Sequence, residues 1–262
     1  MNLELTDKTA LVSGSTKGIG FAIASQLAAE GARVMVNGRS DSSVNSALEQ
    51  IRKAVPDAKV EGFAGDLATA TATEQLRKLL PAVDILVNNL GIFEPKPFDE
   101  IPDEDWRRFF EVNVLSGVRL SRAYLPGMKE RNWGRIVFIS SESAVNTPGE
   151  MIHYGMTKTA QLAVSRGLAQ DCGGTGITVN AILPGPTHSA GVEEFVKQLG
   201  GGQSFETFEK EFFKSVRPSS LLKRFETPDE VARLVTFVCS PIASAITGAA
   251  LRIDGGVVSS CF

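Results

Sequence analysis

The chain carries a phenol and an amine at a spacing that can move a proton. Tyr154 and Lys158 are four residues apart, so on a helix they share one face a turn from each other. A phenol titrates near ~10, and a fixed ammonium beside it favours the anion. Lowering that pKa by roughly 3 units takes about 4 kcal/mol, which one close cation and a cationic ligand in a dry site can supply. Ser141, upstream of both, adds a hydroxyl able to hold a carbonyl oxygen as charge develops on it. Tyr-x-x-x-Lys also occurs on solvated helices, so the elements around it decide the reading.

The frame that must position these groups is a large one. With 262 residues, 43% of them apolar, the chain can bury a full core as one α/β domain spanning 1–262. A net charge of -3 and the lack of any long Lys/Arg run leave no footprint for nucleic acid or an anionic membrane. No apolar run approaches the ~18 residues of a membrane span, and Met1 to Lys8 lacks the apolar stretch of a secretory signal. Cys172, Cys239 and Cys261 are odd in number and widely spaced, which fits a reducing cytoplasm. With His153 and His188 they form no metal-binding spacing, so no metal is expected. The expected partner is a small molecule.

Short apolar runs alternate with helical patterns. Strands are predicted over 10–12, 33–37, 60–65, 85–88, 135–140, 178–183 and 250–253, with helices near 19–30, 41–54, 69–80, 103–130, 152–171 and 228–239. This alternation predicts a doubly wound, Rossmann-type parallel sheet of seven strands with helices on both faces.

After the first strand come Gly14, Ser15, Thr16, Lys17, Gly18, Ile19 and Gly20, and then a helix rich in Ala and Leu. Glycines here allow a tight turn and let backbone amides approach a pyrophosphate at the helix N-terminus. Between a strand and a helix at the start of a βαβ unit, such a loop points to a dinucleotide.

The spacing G-x-x-x-G-x-G, taken with Tyr154 and Lys158, resembles the short-chain dehydrogenase/reductase family, in particular its 3-oxoacyl carrier-protein reductase-like members. Further stretches match in order: Asp66 and Leu67, then Asn88, Asn89, Leu90 and Gly91, then Asn113, Ser141, Pro184 with Gly185, and Asp254, Gly255 and Gly256. The resemblance covers nearly the whole chain. It implies that Tyr154 is the acid in reduction and the base in oxidation, that Lys158 lowers its pKa and binds the nicotinamide ribose, and that Ser141 holds the substrate oxygen. It also implies that Asn113 bends its helix and anchors a water relaying protons to Lys158. Asp66 and Leu67 would flank the adenine, Asn88, Asn89 and Gly91 the adenosine ribose and phosphates, and Thr187 the carboxamide. Leu90 departs from the usual Ala and puts bulk near the cofactor.

At the end of the second strand stand Asn37 and Arg39, with no acid before Asp41. An NAD enzyme usually places Asp or Glu there for the ribose 2′-OH. Arg39 and Lys17 instead offer two cations to a 2′-phosphate, so NADP(H) is expected ahead of NAD(H).

The stretch at about 187–227 is too long for a passive connection and reads as a substrate lid. Val192, Phe195, Val196 and Leu199 share one helical face, glycines 200–202 break it, and Phe205, Phe208 and Phe212 form a second. These phenylalanines either close over the nicotinamide end or pack on a neighbouring subunit. Glu142, Ser143, Asn146 and His188 are further candidates for substrate contact, while His153 should point about 100° from Tyr154. The resemblance also implies a homotetramer or homodimer, which apolar or small residues on more than one face of the helices near 103–130 and 152–171, among them Ala160, Ala163 and Val164, suit. Arg122, Lys129, Arg131 and Arg135 are the cations that an acidic carrier would seek, or an ordinary solvated face.

The expected activity is NADP(H)-dependent reduction of a ketone, a 3-oxoacyl thioester or another apolar carbonyl, to a secondary alcohol. An NAD-linked alcohol or steroid dehydrogenase working oxidatively is the alternative. A nucleotide-binding sensor without chemistry is a third reading, which the retention of Ser141, Tyr154 and Lys158 disfavours.

Overall fold

The computed structural model describes residues 2–188 and 204–261. Seven strands run parallel in one sheet: β1 (Thr9–Val12), β2 (Arg33–Gly38), β3 (Val60–Ala64), β4 (Ile85–Asn88), β5 (Gly134–Ile139), β6 (Ile177–Pro184) and β7 (Ala250–Ile253). Their order is β3-β2-β1-β4-β5-β6-β7, the doubly wound arrangement the alternation predicts. The chain starts at the middle of the sheet, winds to one edge, and crosses back between β3 and β4. The C-terminal ends of β1 and β4 therefore diverge over a crevice, where open α/β sheets bind ligands.

Alternate side chains divide the core. Ala10, Val12, Val34 and Val36 face one side and pack with Ile23 and Leu27 of α1 (Gly18–Ala29), with α2 (Asp41–Ala54), and with the last helix, Pro228–Val238. Leu11, Met35, Leu86, Ile136 and Phe138 face the other, against α3 (Ala70–Leu79), α5 (Ser116–Glu130) and α6 (Ile152–Asp171). Each fully buried aliphatic side chain contributes about 1.5–3 kcal/mol. Local chemistry starts the helices: Ser40 and Thr69 accept from Ser43 N and Ala72 N, and Thr227 with Glu230 forms a capping box behind Pro228.

One difference from the sequence reading bears on the site. The helix expected over 103–130 is two, α4 (Asp103–Phe110) and α5, joined by a π-helical turn at Glu111–Leu115. A wide turn leaves a carbonyl without its helical partner, and Gln161 Nε2 of α6 donates to Asn113 O at 2.6 Å. The turn faces inward, where Asn113 is 1% exposed.

In the 187–227 stretch, α7 (Phe205–Ser215) is capped by Ser204, and the last helix, Pro228–Val238, is α8. The expected first lid helix, with Val192, Phe195, Val196, Leu199 and the glycines, lies outside the described residues. Arg135 is not part of a solvated basic face. It is 2% exposed, donates to the Ser240, Gly134 and Gly176 carbonyls, and stacks on Trp133. Backbone oxygens inside the β5–β6 edge satisfy its charge more fully than a surface could.

Gly20 fixes how closely α1 approaches the strand ends. A methyl there would come within 2.5 Å of the Gly14 carbonyl oxygen and closer still to Asn89 Nδ2. Gly20→Ala should cost about 1–3 kcal/mol, read as a lower denaturant midpoint at unchanged m; an unaltered midpoint would show that the loop relaxes freely.

Candidate active site

The site is assembled where β5 ends and α6 begins. Ser141 follows β5 and opens a short 3-10 turn, with its Oγ accepting from Ser143 N at 3.1 Å. Tyr154 and Lys158 lie in the first turns of α6, and Lys158 Nζ is 5.5 Å from the centre of the Tyr154 ring. Lys158 is 4% exposed, and its amine donates to the Ile139 carbonyl at 2.9 Å. Ser140 Oγ donates back to the Lys158 carbonyl at 2.9 Å, so strand and helix are tied twice. Asn113 reaches the same place from the π turn. Its Oδ1 accepts from Ile92 N at 2.8 Å, and its Nδ2 donates to Ile92 O at 3.0 Å and Thr157 Oγ1 at 2.9 Å. A methyl on Gly91 would stand 3.5 Å from both Asn113 Oδ1 and Lys158 Nζ, so the backbone leaves room there.

Around the glycine-rich loop most polar side chains brace the loop itself. Gly14 and Gly18 have φ of 61° and 58°, where a side chain is strained. Ser15 Oγ donates to Val12 O and accepts from Asn37 N. Asn37 accepts from Gly14 N and donates to the Phe63 and Gly65 carbonyls, so its amide shapes the turn from inside the protein. Asn89 Nδ2 holds the Ser13 and Gly14 carbonyls. Asn88, deeper in, turns away from the loop and donates to Ser121 Oγ of α5. Lys17 precedes α1, whose first turn carries no acid, so the partial positive charge of the helix end stays unneutralised. Arg39 and Lys17 are exposed, with no acidic partner among the described residues. Thr16 and Ile19 are half-buried on the same loop, and Asp66 is exposed, capping Ala68 N. Leu67 is 1% exposed and its side chain belongs to the core, which leaves its backbone to face an adenine. Leu90 packs toward Gly14 of the glycine-rich loop and is not in the lining of the cavity that Ser141 and Tyr154 share.

A cavity of about 770 Å³ joins these parts. Ile19, Asn89, Gly91, Ser141, Glu142, Ser143, Tyr154, Lys158, Pro184, Gly185 and Thr187 all line it. Thr187 bridges to Glu226 and donates to Gly185 O. Phe208, Glu211, Phe212 and Ser215 line it from α7 at helical spacing, whereas Phe205 packs on His188 and Phe225. His188 and the exposed Asn146 are not in the lining, and Phe195 lies outside the described residues. His153 is buried against Phe109, ring centres 4.0 Å apart, with Trp106 edge-on. Sequence reading missed Ile92, Phe93, Glu150, Met151 and Arg217, all in the lining. None of these carries a mark of its own in the sequence, and Arg217 is one of several cations in the 187–227 stretch.

The electrostatics run against the simple expectation for the phenol. Burial pushes the Tyr154 pKa up to about 12, opposed by the Ser141 hydroxyl bonded to it, raised further by the Glu142 charge and lowered by that of Arg217. Burial brings the Lys158 amine down to about 7. The amine points at the Ile139 carbonyl, and the low-dielectric surroundings that would strengthen its pull on the phenol also discourage its charge. The chain's own groups therefore keep the phenol protonated at neutral pH. A neutral phenol and a hydroxyl converging on one point can bind a carbonyl oxygen and hand it a proton.

Fold and site together define a dinucleotide-dependent oxidoreductase. Residues 14–258 match the family model described as enoyl-(acyl carrier protein) reductase. The uncharacterized oxidoreductase YvaG of Bacillus subtilis (strain 168) is 50% identical over 264 residues, covering 100% of both chains. The 3-oxoacyl-[acyl-carrier-protein] reductase FabG of Aquifex aeolicus is 33% identical, covering 98% of this chain and 100% of its own. Among solved structures, L-sorbose reductase from Gluconobacter frateurii, complexed with NADPH and L-sorbose, superposes with a TM-score of 0.93 at 30% identity, covering 99% of this chain and 100% of the other. The chain belongs to the short-chain dehydrogenase/reductase family and is an oxidoreductase acting on alcohol and carbonyl groups. Its own residues fit a dinucleotide, for the glycine cradle at 14–20, the uncapped start of α1 and the open backbone at Gly91 would hold one.

The Lys158 shift has a thermodynamic consequence. An amine at about 7 when folded and near 10.5 when unfolded binds fewer protons in the native state between those values. Stability from this group therefore rises with pH across that window, by up to about 1.4 kcal/mol per unit. In Lys158→Met that slope should vanish, measured by urea unfolding at pH 7, 8 and 9; equal slopes in both proteins would mean the buried amine stays charged.

Proposed function

We propose that this protein is an NADP(H)-dependent carbonyl reductase that converts a ketone to a secondary alcohol. The observation that carries the reading is the Tyr154 phenol, held protonated beside Ser141 in the cavity wall, the form reduction requires. A bound nicotinamide supplies the hydride. Ser141 and Tyr154 hold the carbonyl oxygen, and Tyr154 gives it a proton as charge builds. Lys158 and Asn113 keep the phenol's neighbourhood in register through Ile139, Ile92 and Thr157. The apolar walls from Ile92, Phe93, Met151, Phe208 and Phe212 exclude water from the reacting centre.

Arg39 just after β2 and Lys17 just before α1, without an acidic partner among the described residues, support a 2′-phosphate, and with it NADPH. In a titration of reduced-nicotinamide fluorescence, NADPH should bind about tenfold tighter than NADH or better, a difference of about 1.4 kcal/mol, and Arg39→Ala should erase it. Equal or reversed preference would transfer the assignment to an NAD-linked alcohol dehydrogenase. Reduction should be flat in rate between pH 6 and 8, because the acid is already protonated. Alcohol oxidation needs the phenolate and should climb about tenfold per pH unit over the same range. Tyr154→Phe should bind cofactor yet lose about 10²-fold or more in kcat. Wild-type protein that binds NADPH but turns over no ketone would revive the sensor reading.

A groove between α5 and α6, lined by Val118, Leu125, Val164 and Leu168, supports assembly through these helices as a homodimer or homotetramer. Light scattering that returns a single 28.0 kDa chain would overturn it. Free cysteines support a cytoplasmic enzyme; among the described residues no helix is long and apolar enough to cross a membrane.

A further inference from the structure

Arg217 stands just beyond α7 and lines the same cavity as Ser141 and Tyr154. Its side chain is only 9% exposed, so each edge of the guanidinium must be accounted for. Nε donates to Glu142 Oε1 at 3.0 Å. Nη1 donates to Glu150 Oε1 at 3.3 Å and to the Val216 carbonyl at 3.0 Å. Nη2 makes no hydrogen bond among the described residues, yet it is not one of the sealed, unpartnered atoms. Its two N–H groups are therefore open, and the open space beside Arg217 is the cavity.

A guanidinium held on two edges is a preorganised donor at the third. The rotamer freedom it would otherwise lose on meeting a ligand is already lost in folding. Glu142 serves as its positioning residue. That carboxylate adjoins Ser141 in sequence, is 3% exposed, and faces Arg217 and the Ser143 hydroxyl. The residue just beyond α7 is thus fastened to the turn that carries Ser141. Arg217 is also near enough to the phenol for its charge to act on it.

The surrounding charge decides what kind of acceptor fits. Glu142, Glu150 and Glu211 line the cavity with Arg217 and Lys158; burial discourages the charge of Glu142 and of Lys158 alike, which leaves Glu150 and Glu211 against Arg217. A carboxylate ligand would meet a wall with more acid than base. An uncharged oxygen accepts from Nη2 without that repulsion.

We propose that Arg217 determines specificity, with Nη2 binding a second, uncharged oxygen of the substrate while Ser141 and Tyr154 hold the ketone. The site then takes ketones with a neighbouring ester, thioester or hydroxyl oxygen over simple ketones of the same shape. This rests on the carbonyl-reductase reading and deepens it.

The test uses matched substrates with NADPH: ethyl 3-oxobutanoate against 2-heptanone, hydroxyacetone against 2-butanone, and 3-oxobutanoate as the charged arm. Because Arg217→Ala would strand a buried Glu142, the informative variants are Arg217→Lys, which keeps the charge and loses the fork, and Arg217→Met combined with Glu142→Gln. The wild type should favour the oxygenated member of a pair, and the ester and hydroxyl arms show which oxygen is read. In both variants the ratio of kcat/KM between pair members should fall about tenfold or more, chiefly through KM. A wild type without preference overturns the proposal, as does a ratio unchanged in Arg217→Lys. Preference for 3-oxobutanoate over its ester overturns the uncharged acceptor. Turnover of none of the five overturns the reductase reading, and this inference falls with it.

Discussion

The site depends on one buried amine. Lys158 lies beneath the cavity with its nitrogen on the Ile139 carbonyl, and burying it there is unfavourable by about 5 kcal/mol, as its descent from 10.5 to about 7 implies. The rest of the molecule holds it in place. β5 supplies the carbonyl, Ser140 pins the helix through the Lys158 backbone, and the core behind β5 and β6 keeps that strand end fixed. Tyr154 and Ser141 then gain their relative position as a by-product, since one is a turn earlier on the same helix and the other two residues beyond the same strand residue. A site carried on a strand end and a helix start is more rigid than one built on loops.

The π turn at Glu111–Leu115 is the second such fixture. It lowers the regularity of a long helix to bring one amide side chain, Asn113, against a backbone segment after β4 that has no regular partner. Asn113 saturates both polar groups of Ile92, and Gln161 saturates the carbonyl the turn frees. A lost helical bond is replaced by bonds between elements, so β4, α5 and α6 move as one body around the cavity.

How much of this could be read from the chain follows from how local each cause is. The glycine loop was legible because its requirements, positive φ and close backbone approach, are met by one residue type at fixed offsets. The parallel, doubly wound sheet followed from alternating element types, though not its strand order. The π turn carries no mark of its own, for Asn113 and Gln161 are ordinary helix residues until α6 packs on α5. Arg135 was misread for a related reason: exposure is decided by the finished core, which buried it among carbonyls. Arg217 had no spacing to any partner, being 75 residues from Glu142. A contact across that separation is invisible until the fold closes it.

The perturbed amine and phenol also bear on the direction in which the site works. With the phenol at about 12, forming its anion at pH 7 is unfavourable by about 7 kcal/mol, whereas donating its proton to a developing alkoxide is downhill. Lys158, at about 7, is poised where the phenol is not. Once Tyr154 gives up its proton, the new negative charge favours protonation of the amine, which then holds the phenolate as an ion pair until the proton is replaced. The two groups titrate as a unit in which one delivers and the other compensates. Running the same unit backwards requires the base to exist before the reaction begins. Burial of both groups favours the neutral phenol, the form that donates a proton in the proposed reduction, and positive charge brought by a ligand would favour its anion.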